Sequence, residues 1–414
     1  MTHKIRKTNN TRIIQRGYKT ELKLNNQQQT LCRRHAGCAR FAYNWGLQRK
    51  IAEYEKTGKS PTAIDLHREL NRLKKTEFSW MYEVSKCAPQ EALRNLDNAF
   101  RHFFHRVRKG SKPGFPKFKS RKLGMGAFRL TGIIRVFKNS IQLPRLGKLR
   151  LKEHGYLPSE SDHIHILSAT ISEKAGRWFV SLQVQEEITV VEKLGPVVGV
   201  DVGIQRLATV SDGTLFENPR ALSQYERKLK RVQQKLARKR RGSKNSRRVQ
   251  LKLQKLHSRI GNIRKDALHK ATTWLAKTKS VVIIEGLNVA GLKQNHRLAK
   301  ALSDASFYEF RRQLEYKTHW YGSKLLIAPR FFPSSKMCSG CGDIKTKLAL
   351  STRVYRCDQC GLTLNRDLNA SYNLELVAAS WAETENACLE AGGYRSPVGQ
   401  CPSMKQEPNT IKGP

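Results

Sequence analysis

The sequence predicts a mixed α/β chain built of several modules, and three observations carry that prediction. Apolar residues recur at helical spacing through residues 31–107 and then alternate in short runs between 128 and 185, the pattern of a helical module followed by a compact antiparallel sheet or barrel. Two continuous apolar runs, VVGVD at 197–201 and VVIIE at 281–285, have the composition of strands buried in an α/β sheet. Two Cys-x-x-Cys pairs then stand between residues 338 and 360. The 414 residues suffice for two or three ordinary domains, and 39% hydrophobic residues suffice for a core in each, which excludes wholesale disorder.

The charge is the outlier: 78 Lys and Arg stand against 33 Asp and Glu, a net +45. Folding needs no such excess, so a polyanionic partner is implied. Nucleic acid and an anionic membrane surface both qualify, but no apolar run approaches the roughly 18–20 residues of a spanning helix, so integral membrane roles are excluded. The N-terminus, MTHKIRKTNNTRIIQR, has basic residues with no apolar stretch behind them; it does not read as a secretory signal, and the chain is expected in the cytoplasm. Nine cysteines, an odd number in such a chain, point to reduced thiols and a metal site rather than a disulfide framework.

Taken in order, Tyr18, Thr20, Leu22 and Leu24 mark one strand that must pair with something later, and Asn25 to Gln29 is a polar break. Residues 31–56 and 60–107 read as helices, with Phe41, Trp45 and Leu47, then Leu93, Leu96, Phe100, Phe103 and Phe104, on their apolar faces. The text KGSKPGFPKFKSRK at 109–122 mixes Pro, Gly and six basic residues, which admits no helix interior and predicts a linker facing phosphate. Short strands follow at 128–130, 134–137, 141–143, 149–151, 164–172 and 177–185, and the early strand is expected to insert among them. After VVGVD comes a second strand, a hairpin signal at Asp212-Gly213 and a third strand. Residues 227–265 then hold 17 Lys or Arg and no acid, in two helical arms around KRRGSK. A merely solvated helix pair would mix signs for i,i+4 pairing, whereas a one-sign face is favoured when a polyanion releases counterions, so phosphate contact is expected there. VVIIE, a helix over 304–321 and the strand LLIA lead into the cysteines; past Leu374 little order is expected.

Cys338-x-x-Cys341, fifteen residues, then Cys357-x-x-Cys360 is the spacing of a four-thiolate structural zinc site. Gly342 and Gly361 follow the two pairs, where a tight turn favours positive φ. Four thiolates leave no open position, so this zinc would not activate water. Cys32, Cys38, Cys87, Cys388 and Cys401 lack such spacing.

Carboxylates are conspicuous in so basic a chain when they end apolar strands, as Asp201 and Glu285 do; Asp367, in LNRDLNASYN, opens a helical stretch just beyond the cysteines. Singly, a strand-end acid is most often a satisfied cap or salt-bridge partner. Together the three fit one chemistry, in which Mg²⁺ or Mn²⁺ ions about 4 Å apart hold the attacking and leaving oxygens of a phosphate.

At these residues the chain closely resembles a known family. GVDVGIQRLATVSDG, IIEGLN, and CSGCG followed by YRCDQCGLTLNRDLNASYN, with AGCARFAYNWGL, GFPKFKSR and LSDASFYEFRRQLEYKTHWYG, resemble the TnpB (OrfB) proteins of insertion-sequence transposons, relatives of the type V CRISPR effectors, over roughly residues 18–375. The resemblance implies an RNA-guided DNA endonuclease with a RuvC-type, RNase H-like core, its catalytic acids at Asp201, Glu285 and Asp367. It implies a guide RNA copied from the transposon end and a duplex DNA target bearing a short adjacent motif, near which Lys86 and Gln90 would lie, although a plain solvent-facing helix is also open for these two. The implied division is the first strand of a wedge-like β-barrel in 1–30, a helical recognition module in 31–108, the rest of the barrel in 109–194, and the nuclease domain in 195–335 with basic arms at 227–265. A zinc-binding insertion follows in 336–362, the segment of the third acid in 363–375, and a flexible tail in 376–414. A transposase, or a regulator that binds nucleic acid without guided cleavage, is the alternative function, and monomer and dimer both stay open.

Overall fold

The computed structural model describes residues 11–390 apart from 122, 123, 125, 192 and 350, and these fall into two units, one of residues 11–189 with 235–258 and one of 190–234 with 259–390. In the first unit, β1 (Thr11–Lys23) is followed by helices α1 (Asn26–Thr57), α2 (Ala63–Leu73) and α3 (Cys87–Arg108). Six strands complete it: β2 (Ala127–Leu130), β3 (Arg135–Phe137), β4 (Ser140–Leu143), β5 (Gly147–Leu151), β6 (Ile164–Lys174) and β7 (Arg177–Thr189).

The early strand does insert among the later ones. The seven strands form an antiparallel sheet in the order β2-β6-β7-β1-β5-β4-β3, with β1 paired to β7 from Thr11↔Thr189 to Leu22↔Trp178 and to β5 at its end. Alternation drives this: Leu22, Val180, Leu182 and Val184 turn inward and join Leu47, Leu93 and Leu96 of the helices in one core. The polar break predicted over 25–29 contracts to Asn25, because its side chain accepts the N–H of Gln28 at 2.8 Å while the Gln28 side chain accepts the N–H of Asn25, and this reciprocal cap starts α1 at once. The second helical stretch is two helices, α2 and α3, with a 3-10 turn at Ser79–Glu83 between them.

The second unit begins with β8 (Val197–Asp201), β9 (Arg206–Val210) and β10 (Leu215–Glu217). Then come α4 (Ala221–Ala237) and α5 (Lys244–Thr278), the two basic helices, whose facing ends belong to the first unit. Next are β11 (Val281–Glu285), α6 (Val289–Leu292), α7 (His296–Ala305), α8 (Phe307–Tyr321) and β12 (Lys324–Ala328). The hairpin β13 (Val354–Arg356) and β14 (Thr363–Asn365) leads into α9 (Arg366–Glu390). The five-stranded sheet runs β10-β9-β8-β11-β12, with β8, β11 and β12 parallel and the other pairings antiparallel. Val198, Val200, Val282, Ile284, Phe310 and Leu314 fill its core, as the continuous apolar strands predict.

Two expectations are corrected. The helix predicted over 304–321 is interrupted at Ser306, whose left-handed φ of 59° separates α7 from α8. Order does not stop at Leu374, since α9 continues to Glu390; the rest of the expected tail, 391–414, lies outside the described residues. No helix among the described residues is long and apolar enough to cross a membrane.

Candidate functional site

Asp201 ends β8 and Glu285 ends β11, and these strands are parallel neighbours whose register pairs Val200 with Ile284. The two acids therefore sit side by side, one strand spacing apart, at the same edge of the sheet. Asp367 reaches them from α9. The Asn365 side chain at the end of β14 accepts the N–H groups of Asp367 (3.0 Å) and Leu368 (3.3 Å), which starts the helix and puts Asp367 in its first turn. What brings α9 onto β8 is Gly199. A Cβ at this position would stand 2.0 Å from the Ser371 carbonyl oxygen and 2.5 Å from the Glu375 nitrogen, so only a residue without a side chain lets helix backbone lie on strand backbone here.

Asp201 and Asp367 line a cavity of about 890 Å³ whose other walls carry Arg220, Lys300, Arg353 and Arg366. Burial, and after it the charges of Glu285 and Asp367, push the Asp201 carboxyl well above the usual carboxylate range, against a smaller opposing pull from Arg366. Burial also raises Glu285, opposed by a hydrogen bond from the Ser334 hydroxyl and again by Arg366. Three acids whose charges oppose one another in a partly desolvated pocket are suited to a hard divalent cation, which offers oxygen ligands the charge they lack. Arg220 holds a left-handed φ of 42°, with its N–H donated to Asn218 Oδ1 and its guanidinium to the Gln205 carbonyl, a strained conformation at the cavity wall. Asp304, the third acid of the cavity wall, is committed elsewhere: its carboxylate accepts the Leu222 N–H at 3.0 Å and Arg264 Nε at 2.5 Å.

The four predicted cysteines converge. Their sulfurs all lie within 4.8 Å of one another, with Cys338 to Cys360 at 3.6 Å and Cys341 to Cys357 at 3.5 Å, close to the edge of about 3.8 Å of a tetrahedron with 2.3 Å metal–sulfur bonds. Gly342 and Gly361 have φ of 80° and 72°, the left-handed turns predicted for them. Within the cluster the thiols share protons unequally: backbone N–H groups of Cys360 and Gln359 lower Cys357, while those of Asp343 and Leu362 act in the same direction on Cys341 and Cys360 but hydrogen bonds with neighbouring thiols leave both raised. The donor set fits one tetrahedral, thiophilic ion such as zinc.

The residues that connect the two clusters escaped the sequence reading. On α9, Asn369 and Asn373 are fully buried, one turn apart. Asn369 Nδ2 donates to the Met337 carbonyl at 2.7 Å and its Oδ1 accepts the Ser339 N–H at 3.0 Å, while Asn373 Nδ2 donates to the carbonyls of Ser334 (2.7 Å) and Met337 (2.6 Å). Ser334, itself buried, donates its hydroxyl to Glu285. The loop that carries Cys338 is thus fastened to the helix that carries Asp367 and to the acid that ends β11. The available signal was the pair of Asn at i and i+4 in LNASYN, polar residues on what is otherwise a buried face. Lys86 and Gln90 lie elsewhere, in the first unit: Lys86 is exposed just before α3 and Gln90 is half-buried in its first turn.

A family model for OrfB_IS605, described as "Probable transposase", matches residues 179–296, and a Cas12f1-like TNB domain matches 307–374, the stretch from α8 to α9 that contains the cysteines. A helix-turn-helix domain model matches 14–59, which here is β1 and the single helix α1. A Streptomyces pristinaespiralis protein named "Putative RNA-guided DNA endonuclease" is 34% identical over 399 residues, 95% of this chain and 96% of that protein. An Escherichia coli K12 protein named "Putative RNA-guided DNA endonuclease InsQ" is 32% identical over 405 residues, 93% and 97% of the two chains. Among solved structures, the mini-RNA-guided endonuclease CRISPR-Cas_phi3 aligns over 88% of this chain and 92% of its own at 10% identity, with a TM-score of 0.47.

Proposed function

The chain belongs to the OrfB (TnpB) family of insertion-sequence transposons, and from that premise we propose that it is an RNA-guided DNA endonuclease whose cutting centre is formed by Asp201, Glu285 and Asp367. The observation that carries the assignment is the meeting of these three acids, from two parallel strand ends and a helix start, with Asp201 and Asp367 lining a cavity ringed by cations. In this reading the five-stranded sheet with α9 is a RuvC-type, RNase H-like core, and the seven-stranded sheet, with β2 and β3 at its two ends, is the wedge-like barrel, split around the helical recognition module. The sequence-derived domain limits carry over with two changes, the segment of the third acid running on with α9 to Glu390 and residues 235–258 of the basic arms grouping with the first unit, and the cysteine segment is a zinc-binding insertion.

The three carboxylates would hold Mg²⁺ or Mn²⁺, which when bound supplies Lewis-acid stabilisation of phosphate oxygens and a more acidic water. The chain's own contribution is position. Ser334 orients Glu285, Asn365 and Gly199 set Asp367 over β8, and Arg220, Lys300 and Arg353 draw the phosphate backbone toward an otherwise repulsive acidic pocket. The thiolate-bound zinc is structural. The partners are a guide RNA from the transposon end, whose pairing reads the target, and double-stranded DNA next to a short motif, which Lys86 and Gln90 would read; Gln suits adenine and Lys suits guanine.

A transposase that joins DNA ends unaided could use the same acids. Cleavage of duplex target with and without co-expressed RNA separates the two. The expected result is cutting that requires the guide, the adjacent motif and Mg²⁺ or Mn²⁺, and that is nearly abolished in Asp201→Ala, Glu285→Ala and Asp367→Ala while target binding survives. Efficient cutting or joining of transposon ends by RNA-free protein would overturn the guided reading.

A further inference from the structure

Within the first unit, α3 presents a surface of its own in its second half, beyond Asp97. Its first half is core, with Ala88, Ala92, Leu93 and Leu96 buried, but from Asn98 through Phe115 every residue is at least partly exposed. Four phenylalanines gather on this unsheltered stretch. The Phe103 ring meets Phe104 at 5.2 Å and Phe115 at 5.5 Å, both edge to face, and Phe100 meets Phe115 at 5.5 Å in the same manner. Phe100 leans on the core, whereas Phe104 is 52% and Phe115 48% exposed. The segment that supplies Phe115 is fixed: Pro116 is buried, and the side chain of Asn44 on α1 donates to the Lys119 carbonyl at 2.9 Å and accepts the Lys119 N–H at 2.7 Å. The rings are therefore held in place before any partner arrives.

A preformed cluster of exposed rings marks a binding surface, and its surroundings indicate for what. Arg101, Arg106, Arg108, Lys109, Lys112 and Lys117 flank it, all exposed. There is no Asp or Glu from Asn98 to Lys152. Flat apolar faces spaced along a polyanion are what an unpaired nucleic-acid strand offers, and proteins hold such strands by stacking bases on aromatic rings between phosphate-binding cations. Unpaired RNA displays its bases in this way in loops and ends.

We propose that Phe103, Phe104 and Phe115 form a stacking platform for unpaired bases of the RNA this protein carries, with the flanking cations on the adjoining phosphates. The proposal rests on the RNA-guided reading and deepens it. The full-length protein is titrated with a 12-nucleotide single-stranded RNA, and with DNA of the same length and sequence, at several salt concentrations. Replacing two exposed rings, Phe104→Ala with Phe115→Ala, is expected to weaken RNA binding roughly 10-fold or more without changing the salt slope, because the rings carry no charge. The ring itself is tested by Phe104→Tyr, expected to bind RNA as the wild type does, against Phe104→Leu, expected to bind as weakly as Phe104→Ala. All of these positions are exposed, so unchanged melting curves are expected. Wild-type RNA affinity in the leucine or double alanine variant would overturn the platform and leave the endonuclease reading intact; a loss confined to the DNA probe would overturn the assignment to RNA. No RNA binding by the wild type would sink both.

Discussion

The thiol cluster and the carboxylate cavity share α9 and the 334–339 loop, yet they are built in opposite ways. The cluster takes four ligands from 23 consecutive residues and closes them with two left-handed turns. The acid cluster takes three carboxylates separated by 84 and 82 residues, and depends on whole elements lying against each other, β11 beside β8 and α9 upon Gly199. Their electrostatics differ in the same sense. Local backbone N–H groups act on each of Cys341, Cys357 and Cys360 to favour the thiolate, although neighbouring thiols still leave Cys341 and Cys360 raised, whereas burial and neighbouring acids push Asp201 up. The first site is organised by its own local backbone, and the second is held together against its own repulsion by the rest of the fold.

The largest way to break the comparison is a methyl group. Gly199→Ala puts a Cβ against two backbone atoms of α9, neither of which can rotate aside, so the helix must move and carry Asp367 with it. Guided cleavage is expected to fall by about 100-fold, the cost of a displacement of about 1 Å at a reacting centre. Zinc content should stay at one per chain, since no cysteine touches Gly199. Cleavage at the wild-type rate would show that the α9–β8 contact does not build the cavity.

The reverse injury should be asymmetric. Cys357→Ser, or removal of the metal by a chelator, frees the 334–339 loop, and through Asn369, Asn373 and Ser334 that loop supports both Asp367 and Glu285. Cleavage is expected to fall by roughly 10–100-fold, the usual range for loss of an outer-shell support. Asp367→Ala, by contrast, should leave zinc stoichiometry unchanged under native mass spectrometry. If zinc loss left cutting intact, the buried Asn pair would be packing alone.

The difference between the sites also explains what could be read from sequence. A tight thiolate site is written in local spacing, so Cys338, Cys341, Cys357 and Cys360 were legible without any fold. Asp201 and Glu285 were visible as charges ending apolar strands, but their adjacency depends on a parallel pairing across α4 and α5, which no local pattern encodes; the family resemblance supplied that link. Gly199 looked like one more small residue in VVGVD, since its meaning lies in α9, about 170 residues later. The same limit hid Ser334, whose partner Glu285 lies 49 residues away. Helix ends were misjudged where a single side chain decides them, as the Asn25 cap does for α1.

Ser334→Ala sharpens the comparison more finely. It removes the hydroxyl that orients Glu285 and leaves every cysteine contact in place. A hydrogen bond to a charged group contributes about 1.5–3 kcal/mol, so half-maximal cleavage should need roughly 10-fold more Mn²⁺. Mn²⁺ binding followed by electron paramagnetic resonance on the protein–RNA complex should weaken equally, with zinc content unchanged. Equal Mn²⁺ affinity in both proteins would remove Ser334 from the site.

The smallest effect runs in the opposite direction and tests whether the cavity is strained by its charges. A carboxyl raised in the folded state prefers its proton there, so without a cation the fold binds protons more tightly than the unfolded chain. Stability then declines as pH rises from the unfolded carboxylate range through the raised value, so the metal-free protein is less stable at neutral pH than at acid pH on account of this group. Asp201→Asn keeps the shape and removes one charge from a group of three. In metal-free protein near pH 7.5 it should raise the melting temperature by about 2–4 °C, the shift that about 1 kcal/mol produces in a domain of 150–250 residues. The gain should vanish near pH 4, where the wild-type carboxyl is itself protonated, and should shrink when Mg²⁺ is added, because the ion relieves in the wild type the repulsion that the amide has already removed. Cutting should be lost throughout. A melting temperature that falls on Asp201→Asn at neutral pH would mean that Asp201 is a satisfied structural carboxylate rather than a ligand held ready for a cation.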